Sequence, residues 1–180
     1  MAIGVPRLFK TQDNIRAVTR KFLVMAKEIR NKARLNNSTY RLVIHIDPKE
    51  SSYRVERANG AQLIDPAMMT TEGRQKAEDA ARDKTEGKPP PLFQPDSSVL
   101  KGEKTLAGTL RFVSLETLNM SAPQTEGDAY IYFFPQGFVD AAALQISTGN
   151  GTNIWTLIFN PLTGQADVIE KASALKDVQR

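Results

Sequence analysis

The sequence predicts an α+β protein: one long amphipathic helix near the N-terminus, then several antiparallel strands on which that helix must lie. Three observations carry the expectation. Apolar residues recur in steps of three and four through Ile15, Val18, Phe22, Met25, Ala26, Ile29 and Ala33. The period then falls to two at Tyr40, Leu42, Ile44 and Ile46. Beyond residue 105 the apolar runs are short and end in turn residues, as at Pro135-Gln136-Gly137 and Pro161-Leu162-Thr163-Gly164. The first pattern is the stripe of a helix and the second that of a half-buried strand.

The helix reads from residue 13 to residue 35. Asp13 is a candidate N-cap, with Thr11 as competitor. Asn36-Asn37-Ser38 is a stop signal. An earlier start is open, with Pro6 as a first-turn residue, because a proline lacks the N–H that the first turn leaves unused. Tyr40–Ile46 follows as a strand. Asp47-Pro48-Lys49-Glu50-Ser51 supplies a turn, and Tyr53–Arg57 returns as the second arm of a hairpin. Asn59-Gly60 reads as another turn.

Residues 67–91 differ in character. Thr71–Lys88 holds ten charged residues and no aromatic or branched aliphatic one. Its Ala, Glu, Lys and Arg favour a solvated helix, yet no apolar stripe exists to dock it, and Pro89-Pro90-Pro91 forces an extended segment. It reads as a charged surface insertion, mobile or carrying a frayed helix. Strands resume at Thr109–Leu115, with Leu110, Phe112 and Ser114 as candidates for one face. They continue at Ala129–Phe134, Phe138–Ser147, Asn153–Asn160 and Gln165–Glu170. Gly149-Asn150-Gly151 is a hairpin turn. Residues 171–180 read as a polar, frayed tail. The organisation expected is therefore a helix at 1–36, a β-rich head at 37–170 and a tail at 171–180.

Composition limits the chemistry. With no cysteine, thiol catalysis and cysteine-ligated metals are excluded. With one histidine, His45, a multi-histidine metal site within the chain is excluded. His45 near Asp47 is a possible acid–base pair, but no nucleophile stands at a recognisable spacing, and an ordinary surface histidine is the simpler reading. The phosphate-loop and GxGxxG patterns are absent. The acidic residues Asp47, Glu50, Asp65, Asp128 and Asp140 are scattered, so a calcium site could arise only by tertiary accident. No enzyme and no cofactor are expected.

The net charge of +4 is unevenly laid out. Residues 1–34 hold nine basic and two acidic side chains, whereas 89–180 hold six basic and nine acidic. A basic arm suggests nucleic acid, an anionic membrane surface or an acidic partner. No aromatic residue interleaves with Arg16, Arg20, Lys27 and Arg34 for base stacking, which argues against nucleic acid. No apolar run reaches the ~18 residues of a membrane span, so the chain as it stands reads as soluble and without a signal peptide.

The order of features is more specific than any one of them. An apolar stub, Ala2-Ile3-Gly4-Val5-Pro6-Arg7-Leu8, runs into the basic helix ending Ala26-Lys27-Glu28-Ile29-Arg30-Asn31-Lys32-Ala33-Arg34. A strand follows at once at Tyr40–Ile44. Later come Ile131-Tyr132-Phe133-Phe134-Pro135-Gln136-Gly137, a Trp-bearing strand and a Leu162-Thr163-Gly164 turn. This arrangement resembles the H-type minor pseudopilins of bacterial type II secretion (the GspH/FimT-like family, shared with minor pilins of type IV pili). The family's helix-to-strand junction is recognisable at Ile29–Arg34 and its F-P-x-G strand end at Phe134–Gly137. The resemblance covers about 1–60 and 125–170; residues 61–124 match nothing in it.

The resemblance implies a pseudopilin fold, with Ile15, Val18, Phe22, Ala26, Ile29 and Ala33 packing the helix onto the sheets. It implies that Ile3, Val5, Leu8 and Phe9 face neighbouring subunits in a filament core, and it marks Phe134, Pro135, Gly137 and Gly164 as family motif residues. The implied role is structural: a subunit at or near the tip of a periplasmic pseudopilus that assists protein export. Implied partners are other minor and major pseudopilins, with exported substrates and the secretin as further candidates. A FimT-like minor pilin of type IV pili, involved in pilus assembly or DNA uptake, is the alternative; the acidic balance of 89–180 weighs against it. Family members begin with a cleaved leader, Phe-Thr-Leu-Ile-Glu and about twenty apolar residues. The stub is similar to the place where that half-helix ends, so the expectation is a leader and an inner-membrane anchor ahead of Ala2 in the full gene, with a methylated N-terminus and a periplasmic head.

Overall fold

The computed structural model describes residues 6–58, 92–148, 151 and 153–178. The turn at Asn59-Gly60 and the charged insertion at 67–91 lie outside these residues, as do Ile3, Val5 and two residues of the Gly149–Gly151 turn.

Helix α1 spans Pro6–Leu35. It therefore runs straight through Thr11 and Asp13, and neither caps it. Pro6 takes the first helical position, where its fixed φ suits the helix and its missing N–H costs nothing. The C-terminus is set by local hydrogen bonding. Ser38 N–H reaches Ala33 O at 3.1 Å and Asn37 N–H reaches Arg34 O at 3.3 Å. Asn37 sits at φ 45°, the left-handed conformation that a Schellman ending requires and that asparagine tolerates better than most side chains.

Among the described residues nine strands form two antiparallel sheets. In the first, β3 (Phe93–Pro95), β2 (Ser52–Ala58), β1 (Tyr40–Ile46) and β6 (Gly127–Phe133) lie in that order, and β4 (Lys104–Thr105) pairs with the other end of β2. In the second the order is β5 (Arg111–Thr117), β7 (Ala142–Ser147), β8 (Ile154–Phe159) and β9 (Ala166–Ile169). The β1–β2 turn is held by Asp47, whose Oδ1 accepts from the N–H groups of Lys49 and Glu50 at 2.6 and 2.9 Å. Buried Ser51 then ties the sheets together, its Oγ accepting from Phe112 N–H at 3.1 Å.

One apolar core serves all three layers. Tyr40, Leu42 and Ile44 of β1, Ile131 and Phe133 of β6, Leu115 of β5, Leu144 of β7 and Leu157 and Phe159 of β8 share it with the buried side of α1. The seam is aromatic. Phe22 of the helix lies 4.8 Å from the Tyr53 ring on β2 and 5.9 Å, edge-on, from Phe112 on β5, so three elements meet at three rings. Offset and edge-on geometries suit the ring quadrupoles.

Two elements depart from the sequence reading. Strand β5 starts at Arg111 and carries a bulge between Phe112 and Ser114. The extra residue breaks strict alternation, so Phe112 and Leu115, three apart, both enter the core. The C-terminal segment is also not a frayed tail. It crosses the outer face of the second sheet and ends in a short helix, α2 (Leu175–Val178). Leu175 is buried against Ala141, Ala143 and Ile158, and its N–H donates to Glu116 at 2.9 Å. Thr156 Oγ1 fastens the crossing by donating to Lys171 O and accepting from Ser173 N–H, at 2.7 and 3.0 Å.

Candidate functional site

The stripe of α1 is the first place to look, because it determines how the helix sits in the head. Ile15, Phe22, Ala26, Ile29 and Ala33 are fully buried, and Val18 is partly buried against the same core. Met25 belongs with them. Leu8 and Phe9 fall in the first turns of the helix.

The last turns of α1 meet the two late turns of the head, which hold Phe134, Pro135, Gly137 and Gly164. Phe134 and Gly137 close one turn: Gly137 N–H donates to Phe134 O, and Phe134 N–H to Phe138 O, both at 2.9 Å. Gly164 closes the other, its N–H donating to Asn160 O at 2.9 Å. The turns are stitched by Val139 N–H to Pro161 O at 3.0 Å. Pro135 lies inside the first turn, where no N–H is needed of it.

Arg30 lies against Gly164 and Arg34 against Gly137. The Nε of Arg30 donates to Gly137 O at 2.7 Å. Its Nη2 lies 3.5 Å from Leu162 O, the outer limit of such a contact. A Cβ on Gly164 would stand 2.1 Å from Arg30 Cδ and 2.6 Å from its Nε. A Cβ on Gly137 would stand 3.2 Å from Arg34 Cδ. The two glycines, at φ 93° and 63°, therefore adopt a conformation that side chains disfavour and also leave the space that two arginines of the helix fill. The sequence reading marked the glycines and the helix end separately. Nothing in helical periodicity distinguishes Arg30 from the other basic residues of α1.

His45 is not paired with Asp47. Alternation sends it to the outer face of the first sheet, where its Nδ1 lies 2.6 Å from Asp128 Oδ1 across β6. Arg54 joins Asp128 to Glu56 at 2.9 and 2.8 Å, and Glu56 continues to Arg41 at 2.5 Å. Burial disfavours the charge on Asp128, but hydrogen bonds from His45 and Arg54 outweigh it and hold the carboxyl below its ordinary range. The guanidinium of Arg41 also lies over the rings of Phe93 and Tyr130, at 4.1 and 4.4 Å. This is a mutually neutralising chain across three strands, with no nucleophile in it. Among the described residues no group of three or more potential ligands could hold a metal.

Asp140 stands apart. Tyr132 N–H donates to its Oδ2 at 3.0 Å, and its own N–H returns to Tyr132 O at 2.9 Å. Burial pushes its carboxyl up to about 6, and the single backbone hydrogen bond only partly opposes that.

Comparison with solved structures identifies the arrangement as a whole. The chain is similar to the minor pseudopilin EpsH of the type 2 secretion system of Vibrio cholerae, with a TM-score of 0.56 at 11% identity, over 89% of this chain and 99% of that one. A second EpsH crystal structure matches with a TM-score of 0.55 at 13% identity, over 90% and 97%. The solution structure of Escherichia coli GspH matches over all of both chains, with a TM-score of 0.51 at 12% identity. No family model matches the sequence, and no curated protein does. The fold is that of the H-type minor pseudopilins: an N-terminal helix packed on antiparallel sheets.

Proposed function

We propose that this chain is a minor pseudopilin of a type II secretion system, a structural subunit at or near the tip of the pseudopilus that assists export of folded proteins. The observation that carries the reading is a fold match along essentially the whole length of both chains. The helix seat supports it. A 30-residue helix is held along one buried stripe and clasped at its C-terminal end by two turns of the head, which suits a rod that must transmit axial force. Assembly then proceeds through contacts with other pseudopilins. Ile3, Val5, Leu8 and Phe9 form the apolar start that would meet neighbouring helices, and an anchor preceding them would hold the subunit at the inner membrane with its head in the periplasm. Among the described residues no helix is long and apolar enough to cross a membrane.

The test is genetic and biochemical. Deleting the gene should abolish export of type II substrates, which then accumulate in the periplasm, and the full-length gene should restore export. Undiminished export in the deletion strain would refute the role.

A further inference from the structure

The turns that clasp Arg30 also carry two of the exposed large apolar side chains of the molecule, Phe138 (50% exposed) and Leu162 (70% exposed). The Val139–Pro161 hydrogen bond sets them on adjacent chain segments, each one residue from the bonded position. Between and beside them stand two cations. Arg30 is bonded to Gly137 O next to Phe138 and approaches the carbonyl of Leu162 itself. Arg34 lies against Gly137. Among the described residues neither guanidinium pairs with a carboxylate, whereas Arg41 and Arg54 both do. Arg30 spends its bonds on neutral carbonyls and meets no carboxylate among the described residues.

We propose that Phe138, Leu162, Arg30 and Arg34 form a docking surface for another protein subunit, one presenting a carboxylate flanked by apolar side chains. Charge complementarity selects this occupant. An apolar partner alone would cover two guanidinium groups without neutralising them, and desolvating unpaired charge is costly. An acidic partner without apolar groups would leave Phe138 and Leu162 wet. A carboxylate suits the guanidinium fork geometrically as well, since it can accept two parallel hydrogen bonds. The surface is also rigid beforehand. Both turns are closed by backbone hydrogen bonds and cross-linked by Arg30, so little ordering remains to be done on binding. The inference rests on the reading of the chain as an assembling subunit and names the chemistry of one neighbour.

Site-specific photocrosslinking of the full-length protein in its own bacterium tests it. A photoreactive p-benzoylphenylalanine replaces Phe138 and, in a comparison strain, Leu118, an exposed apolar residue (63% exposed) on the turn after β5. Position 138 should give one discrete adduct whose mapped peptide holds an Asp or Glu beside apolar residues, and position 118 should not give that adduct. Arg34→Glu should lower the adduct yield by more than about tenfold through like-charge repulsion. Leu162→Glu, at a solvent-facing site, should lower it similarly without altering the melting temperature. An adduct that survives both substitutions, or that maps to a peptide without acidic residues, overturns the proposal. So does no adduct at 138 in a strain whose export depends on the protein, an outcome that leaves the secretion role standing. An acidic–apolar partner that is no pilin-like subunit supports the surface and leaves the secretion role to the export test of the deletion strain.

Discussion

Replacing Gly164 by alanine tests the clasp at its tightest point. Two costs follow from the geometry. Alanine at φ 63° accepts a left-handed backbone, at about 1–2 kcal/mol. Its Cβ would also fall 2.1 Å from Arg30 Cδ and 3.1 Å from Val139 Cγ2. Arg30 is long and partly exposed, so it would swing away rather than force the turns apart. It would then lose the 2.7 Å bond to Gly137 O. A charged hydrogen bond contributes about 1.5–3 kcal/mol, and partial solvation places this one at the lower end or below it. The sum is about 2–4 kcal/mol. Urea denaturation followed by the fluorescence of buried Trp155 reads it directly. A double-mutant cycle separates the two costs. In an Arg30→Ala background the clash with Arg30 vanishes and the backbone cost and the 3.1 Å approach to Val139 Cγ2 remain, so the cycle should show a coupling of about 1–2 kcal/mol. If Gly164→Ala costs under about 0.5 kcal/mol, or if the cycle is additive, then Arg30 does not occupy the glycine's missing Cβ position and the reasoning fails.

Two further outcomes are expected. Phe22→Ala removes the helix ring from the three-ring seam and should destabilise the protein by about 3–5 kcal/mol in chemical denaturation; a loss under about 1 kcal/mol would contradict the buried seat. Asp140 supplies a pH effect of known sign. Its folded pKa of about 6 lies above its ordinary 3.8, so the unfolded chain releases the proton first, and stability falls as pH rises from about 4 to about 6. The loss is on the order of 3 kcal/mol and is complete above that window. Asp140→Asn should remove this part of the pH dependence, so a variant that tracks the native protein from pH 4 to 7 refutes the assignment.

What was legible in the sequence was what depends on period alone. The α1 stripe and the alternation of β1 could be read because each buried face repeats along the chain at a fixed interval. The late turns at Pro135–Gly137 and Pro161–Gly164 could be read because proline and glycine punctuate them. What escaped depends on contacts distant in sequence. Strands β3 and β4 are three and two residues long and exist only because β2 offers them an edge. The bulge in β5 shifts the face by one residue without any glycine to announce it. The tail looked polar because only Leu175 and Val178 anchor it through apolar contacts while hydroxyl and carboxylate groups on the sheet secure the rest. His45 found Asp128 rather than Asp47 because cross-strand register, not proximity in sequence, selects its partner. Arg30 was one basic residue among nine in the arm, and only the two glycine turns reveal its place.

The clasp also constrains the order in which the molecule can be made. Arg30 meets its two carbonyl partners 107 and 132 residues further along the chain. At the usual pace of synthesis the second arrives on the order of ten seconds after Arg30 has left the ribosome's catalytic centre. For that interval the apolar stripe of α1 is only partly covered, since β1 and β2 emerge early but β6, β7 and β8 follow only with residues 127–159, and closing so long a loop comes late in any folding route. The last strands to emerge therefore complete the cover of the stripe, β9 among them, and the clasp at Arg30 closes with them.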